Sequence, residues 1–551
     1  MRTGGKILIE GLAREGCGTV FTVPGESFLA ALDALFDAAS MRAIVCRHEG
    51  GAAMMAEAMG KLTGTPGVAF VTRAPGATNA ASGVYVAHHD ASPMVLLVGL
   101  NARAHEGRGA FQEIDLEATF GSFANWVGIV RDPTRIPEYV SRAFAAARSG
   151  RPGPAVLGFP EDVLTATVEV ADAGIPIQRN PAPASAEMTK LKARIEAAER
   201  PVLLIGGGGW SAEAAENTAK FAAAFDIPVV AGLRRQDHFD NRHPCYVGHA
   251  GFDMDAKIAS ALRGSDLLIV IGEGLTEITT GSYAHVTPPR PTQYLVHAHP
   301  SATEIGRIFQ TDLPIIAAAE PFTRALARMK PPVKRRWSRF RRDLRTAYER
   351  SLKPTPTTGT VRLEDVVGVL SRTLPDDAII TNGAGNYASF LHRYFQYKSW
   401  PTQLAPTSGS MGYGLPAAIA AKLQHPERAV VALAGDGCLM MTGQEMATAV
   451  QYGLPIVVIV ANNGMYGTIR MHQERRYPGR VVGTTLINPD FVAFARSFGA
   501  RAERIEMTEA FEPALERALN ASRPTLLELR LDPEAISVRQ TLTQIRRKAA
   551  K

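Results

Sequence analysis

At 551 residues, with 46% apolar and 21% charged residues, the chain is too long for one core, and two to four soluble domains are expected. No apolar run approaches the roughly 18–20 residues of a membrane span, and the four cysteines (Cys17, Cys46, Cys245, Cys438) lack CxxC spacing, reading as reduced, isolated thiols of a cytoplasmic protein. The formal charge of +7 sits mostly in residues 334–350, net +6, so it marks a solvated helix, and neither nucleic acid nor membrane is expected as a partner.

The opening MRTGGKILIEGLAREG begins an amphipathic helix rather than the apolar core of a signal peptide. Short apolar strands then alternate with helical patterns: Thr19–Val23, Ala43–Cys46, Gly67–Thr72, Met94–Gly99 and Ala155–Gly158. After the second strand comes Arg47-His48-Glu49-Gly50-Gly51, opening a helix. A carboxylate there, among small and apolar residues, is partly desolvated, which suits a proton donor or relay. Equally, Glu49 is an acid stabilised by the helix dipole.

This first segment covers 1–165. Residues 166–188, rich in Pro, Ala and Ile, read as a linker. A second segment, 189–330, has strands at Val202–Ile205, Val229–Val230, Leu267–Ile271 and Gln293–Val296. Gly206–Gly209 follows the first of these like a dinucleotide turn, but the third glycine of that fingerprint is missing, so a tight strand-to-helix turn is preferred over a nucleotide role. The basic helix, with Trp337, Phe340, Leu344 and Tyr348 on its inner face, and the stretch PTPTTGT lead to a third segment, 361–551. Alternating β and α units throughout predict three doubly wound parallel α/β domains.

In the third segment the apolar run RAVVALA ends at Gly435-Asp436-Gly437. After the 24 residues 438–461, which hold a helix and the strand PIVVIVA, stands Asn462-Asn463. Two adjacent parallel strand ends would then present a carboxylate beside a carboxamide. These are hard oxygen ligands next to glycines that admit close backbone approach, as a magnesium ion carrying a diphosphate requires.

Together, RHEGGAA, APGATNAASG (74–83), GAFQEID (109–115), GRPGPAVLGFPEDV, SGSMGYGLPAAIAAK (408–422) and GDG…NN resemble, in order and over nearly the whole chain, the thiamine-diphosphate-dependent enzymes of the acetolactate synthase-like branch. The resemblance implies a thiamine-diphosphate-binding fold at both ends and a Rossmann-like middle domain. It implies that Glu49 hydrogen-bonds the cofactor's aminopyrimidine and helps deprotonate its thiazolium. Met411 is then the wedge that bends the cofactor. Asp436 and Asn463 bind Mg2+ through side chains and Met465 through its backbone oxygen. Gly383, Ala384, Gly385, Asn386, Gly409, Gly435, Gly437, Cys438, Tyr466, Gly467 and Thr468 contact the cofactor. Active sites form between subunits of a homodimer or homotetramer, acting on a small-molecule substrate.

Departures from the family pattern concern the substrate. Gly50 replaces the glutamine of RHEQGAA. The arginine- and aspartate-containing motif that accompanies FAD is GEGLTEITTG (272–281) here, so FAD is expected to be absent, and His472 replaces a tryptophan that selects the second 2-oxo acid. Against pyruvate decarboxylases, Glu26 keeps an acid, but Phe111-Gln112-Glu113 replaces their histidine pair and Ile469 their late glutamate, so simple decarboxylation is disfavoured. Glu26 and Gln112 join Glu49 as catalytic candidates, and Asn79, Phe111, Gln112, His472 and Gln473 as substrate-side candidates. The expected activity is a Mg2+-dependent carboligase or decarboxylase of a 2-oxo acid. The alternatives are a benzaldehyde-lyase-like or 2-hydroxyacyl-CoA-lyase-like enzyme and, more remotely, a silent binding subunit.

Overall fold

Three sheets of six strands, each wholly parallel, organise the chain in the computed structural model, which describes residues 1–175 and 180–550. The first sheet contains β2 (Thr19–Thr22), β3 (Arg42–Val45), β4 (Gly67–Thr72), β5 (Met94–Leu100), β6 (Trp126–Ile129) and β7 (Pro154–Pro160), in the order 3-2-4-5-7-6. A two-residue strand β1 (Arg2–Thr3) pairs antiparallel with β8 (Thr167–Val168) beside it. The second sheet runs 11-10-9-12-13-14, with β9 (Pro201–Ile205), β10 (Val229–Ala231), β11 (Tyr246–His249), β12 (Leu267–Ile271), β13 (Tyr294–His299) and β14 (Leu313–Ile316). The third runs 16-15-17-18-20-19, with β15 (Ile379–Asn382), β16 (Gln403–Leu404), β17 (Val430–Gly435), β18 (Val457–Asn462), β19 (Arg501–Ile505) and β20 (Thr525–Arg530). Strand for strand, the first and third sheets have the same topology.

The apolar runs become strands because helices cover both faces of each sheet. Along β5, Met94, Leu96 and Val98 enter one core while Val95 and Leu97 enter the other. The first core is shared between domains: the Glu49–Thr63 helix and the Gly414–Gln424 helix pack on each other within it. Small residues allow this approach, since the Glu49–Thr63 helix is buried almost all round and built largely from Gly, Ala and Met.

The linker expected at 166–188 contains β8 and the start of a helix at Ser185, and its residues 176–179 lie outside the described residues. The basic helix spans Ser338–Ser351 and starts later than its charge run, because buried Trp337 anchors its N-terminal end, donating from its indole nitrogen to the Phe225 carbonyl. Leu344 and Tyr348 are buried and Phe340 packs beside them, as the spacing implied. Among the described residues no helix is long and apolar enough to cross a membrane.

Candidate active site

In the third sheet, β15 and β17 are neighbours whose connections leave toward opposite edges, so a crevice opens beyond their carboxyl ends. Gly435 ends β17 there, and Asp436 begins a one-turn helix. The Asp436 carboxylate is buried; Oδ1 accepts from the Gly437 amide at 2.9 Å, and Oδ2 accepts from the Gly464 amide at 2.9 Å and Asn488 Nδ2 at 2.8 Å. Burial pushes its pKa up, against the pull of those hydrogen bonds. Uncharged donors alone surround this carboxylate, so a bound cation would offset the cost of burying its charge.

The two asparagines after β18 divide the work. Asn462 turns inward, donating to Glu528 at 2.7 Å and accepting from Asn488 at 3.0 Å. Asn463 lines the crevice, with Oδ1 accepting from the Met465 amide at 3.2 Å. Asp436, Asn463 and the Met465 backbone thus provide a carboxylate, a carboxamide and a carbonyl, the donor set of a hard cation. The crevice, about 230 Å³, is also lined by Ala384, Gly385, Asn386, Gly409, Met411, Gly435, Gly437, Cys438, Tyr466, Gly467 and Thr468, with Leu363, Phe390, Leu531 and Ile536 supplying apolar wall. Gly383 lies just behind it: a β-carbon there would stand 2.4 Å from Cys438 Sγ. One on Gly437 would stand 2.5 Å from the Tyr466 ring, so this floor requires glycine.

The Asp436 turn and the Met411 loop are fastened together. Cys438 Sγ accepts from the Gly412 amide at 3.1 Å and from the Tyr387 hydroxyl at 3.2 Å, which ties the Asp436 turn to the loop bearing Met411. Asn386 accepts from the Thr468 hydroxyl at 2.9 Å and donates to the Ile536 carbonyl at 2.9 Å. Sequence reading singled out neither Asn488 nor Tyr387, as nothing local to either residue points to Asp436 or Cys438.

A second cluster forms at the carboxyl edge of the first sheet. Glu49 is the first residue of its helix, half-buried, and accepts from Asn79 Nδ2 at 2.9 Å. Its other oxygen lies 3.5 Å from the position of a β-carbon on Gly76. A β-carbon on Gly50 would already sit 3.0 Å from His48 Nδ1 and 3.2 Å from Ser82 Oγ, so little room exists for the glutamine that Gly50 replaces. Buried Arg73, just before Gly76, pairs with Glu26 at 2.7 Å and Glu161 at 2.9 Å. The next amide, Ala74, donates to the Gln112 carbonyl at 3.1 Å, and Gln112 holds a left-handed φ of 61°. Phe111 beside it is 72% exposed. Thus Glu26, Glu49, Asn79, Phe111 and Gln112 gather around one helix start.

None of these residues lines the crevice of the third domain. His472 is exposed, and Gln473 is engaged by Val482 and Thr484, so neither lines it either. A contact that sequence reading missed joins the halves: buried Glu445 accepts from the amides of Arg47 at 3.1 Å and His48 at 3.0 Å, immediately before Glu49.

Comparison with known proteins adds a family to this geometry. Residues 2–119 match the N-terminal TPP binding domain of thiamine pyrophosphate enzymes, residues 188–326 their central domain, and residues 383–529 their C-terminal TPP binding domain. The chain is 32% identical over 550 residues to the acetolactate synthase large subunit of Corynebacterium glutamicum, covering 97% of this chain and 87% of that protein. It is 31% identical to the probable acetolactate synthase large subunit of Methanocaldococcus jannaschii, covering 96% and 92%. With the acetolactate synthase isozyme 2 large subunit of Escherichia coli it shares 28% identity over 96% and 95%.

Proposed function

The chain belongs to the thiamine pyrophosphate enzymes as an acetolactate synthase-like carboligase, and on that premise we propose that it decarboxylates a 2-oxo acid and joins the remaining acyl unit to a second carbonyl compound, with Mg2+ as the metal. The observation that carries this reading is the Asp436–Asn463–Met465 donor set at the mouth of the crevice beyond β15 and β17. When bound, thiamine diphosphate supplies a carbon nucleophile and an acceptor for the electron pair left by departing CO2.

In this proposal the side-chain oxygens of Asp436 and Asn463 and the Met465 carbonyl would hold Mg2+, whose charge would offset that of the diphosphate. Asn386 and Thr468, locked to each other, hold the diphosphate end, and Gly383 and Gly437 leave the backbone free to approach it. Met411, on the loop fixed through Gly412 and Cys438, would supply the apolar contact that supports the cofactor in the crevice. The apolar wall excludes water from the reacting carbon. Glu49, oriented by Asn79, would hold or release a proton at its carboxylate beside the aminopyrimidine, and Glu26 and Gln112 would face the substrate from the same cluster. No step draws on a flavin.

Because the Glu49 cluster does not line the crevice of its own chain, a complete site requires a second copy, which makes a homodimer the smallest active unit and a homotetramer a pair of these. Exposed Phe111 and Tyr85 near Glu49, and Met440, Met441, Ile469 and Ile487 near the crevice, supply apolar surface for that contact. Four free, buried cysteines suit a reducing cytoplasmic setting. The test is to incubate the protein with thiamine diphosphate, Mg2+ and carbon-13-labelled 2-oxo acids, following CO2 and condensation products by NMR. Release of CO2 with a branched 2-hydroxy-3-oxo acid is expected. A protein that binds the cofactor yet yields neither from a panel of 2-oxo acids refutes the proposal.

A further inference from the structure

The middle sheet has the form of a dinucleotide-binding fold, with a buried carboxyl group set against the start of its glycine turn. Its order places β9 beside β12, with the chain leaving β9 toward one edge and β12 toward the other, so the switch-point crevice lies beyond Gly206 and Gly272. The glycine turn 206–209 follows β9, and Ser211 caps the Ala212–Phe225 helix by accepting from the Ala214 amide. Such a turn at a helix N-terminus is where a diphosphate would be received.

At that point stands the carboxyl group of Glu273, two residues beyond β12 and 6% exposed. A β-carbon on Gly206 would lie 2.1 Å from its Oε2, and one on Gly232, at the end of β10, 2.2 Å from the same atom. The carboxyl is therefore wedged between two strand ends, and both glycines are needed to admit it. Thr279, from the segment that replaces the flavin-associated motif, donates to Oε1 at 3.1 Å, and His297 contacts the Glu273 carbonyl at 3.0 Å, holding the residue in place. Space itself is not lacking: a crevice of about 480 Å³ lined by Gly207, Arg235, Gly272, Glu273 and Thr279 lies alongside. Arg235 there is buried with its Nε unpartnered, a cation that a phosphate could use. At the Gly206 end of the turn the Glu273 side chain blocks approach sterically and, when ionised, repels an anion, while Gly207 and Gly208 abut the Gly272 and Ala91 carbonyls.

We propose that Glu273 is a built-in occupant of the diphosphate position, so that the middle domain takes no flavin or other dinucleotide through its glycine turn, and that removing this side chain opens the turn to a nucleoside diphosphate. The residues at this turn do not fit FAD, and the middle domain serves as a structural spacer between the two catalytic domains. The proposal stands independently of the carboligase reading, because its readouts are binding and not turnover.

The test uses the full-length protein loaded with thiamine diphosphate and Mg2+, titrated with ADP by calorimetry, and separately incubated with FAD and desalted before its visible spectrum is taken. Wild type should show no ADP heat up to about 1 mM and retain no flavin, whereas Glu273→Ala should bind ADP at least about tenfold more tightly. Should the alanine variant fail to fold by circular dichroism, Glu273→Thr, which keeps a hydroxyl near Thr279, carries the same expectation. Stoichiometric flavin or micromolar ADP binding in wild type overturns the proposal, as does a folded variant no better than wild type.

Discussion

Replacing Glu445 by alanine tests whether the junction between the outer domains positions the helix that Glu49 begins. Glu445 is fully buried; Oε1 accepts from the Arg47 and His48 amides at 3.1 and 3.0 Å, and Oε2 from the Thr448 hydroxyl at 2.6 Å. Its Oε1 also lies 2.6 Å from where a β-carbon on Gly51 would be, so the carboxylate closes over the first turn of the helix that Glu49 begins. Hydrogen bonds to a charged group are worth about 1.5–3 kcal/mol each. Burial works against the ionised form and pushes the Glu445 pKa up, and Arg47 is exposed enough for water to replace part of one bond. The net loss in Glu445→Ala is then about 2–4 kcal/mol, while Glu445→Gln, which can still accept both amides on its carbonyl oxygen, loses about 1 kcal/mol or less. Urea unfolding followed by tryptophan fluorescence measures the difference. Turnover should fall with the alanine variant far more than with glutamine, while cofactor affinity, which the proposal assigns to Asp436 and Asn463, stays within about threefold. An alanine variant as stable and as active as the glutamine variant would show that this contact does not hold Glu49.

Further expectations concern individual groups. Glu49→Gln should lower turnover by about 10²–10⁴, the usual range for a lost acid–base group, with cofactor affinity nearly unchanged by calorimetry. Asn488→Ala removes the donor to Asp436 Oδ2 and should weaken Mg2+-dependent cofactor binding about tenfold, as outer-sphere losses do. Glu57, fully buried on the Glu49–Thr63 helix and bonded to Ser92 and Tyr413, has its pKa raised chiefly by burial. A raised folded pKa gives stability that is full below the unfolded value and is lost as pH rises through the folded one. Glu57→Gln should therefore gain stability relative to wild type as pH rises from the ordinary carboxylate range, by denaturant midpoints. A constant difference across that range would refute it.

How much of this was legible in the sequence depended on whether the signal was local. Central strands such as β4, β5, β12 and β17 are buried on both faces and read as apolar runs. β6, β11, β14, β16 and β19 escaped notice and are sheet edges: β14 alternates buried and exposed residues and contains Pro314, and β6 and β11 each contain a glycine, while interior β15 and β20, though buried, were also passed over. The same division holds at the site. Asp436 and Asn463 were visible because each follows directly on a strand that ends at the crevice. Asn488, 52 residues from Asp436, and Glu445, 397 residues from His48, act through packing between distant elements. Glu273 lies between these cases, since the altered middle-domain motif was evident but its insertion against Gly206 was not.

The packing that fixes Glu49 bears on the proposal that an active site needs two chains. Its helix lies in a core shared with the Gly414–Gln424 helix and is held from the third domain by Glu445, so no hinge carries it to the crevice of its own chain without opening that core. If sites form between copies, Glu49→Gln and Asp436→Ala chains, each inactive alone, should complement after mixed refolding or co-expression. A mixed dimer has one site with both lesions and one with Glu49 and Asp436 intact. With half the dimers mixed and one good site in each, activity should recover to about a quarter of wild type, following from the two-fold symmetry of such a dimer. A site assembled within one chain gives no recovery, because every chain then carries a lesion in its only site. Mixing before and after denaturation separates subunit exchange from contamination, and absence of recovery in exchanged dimers would refute the shared site.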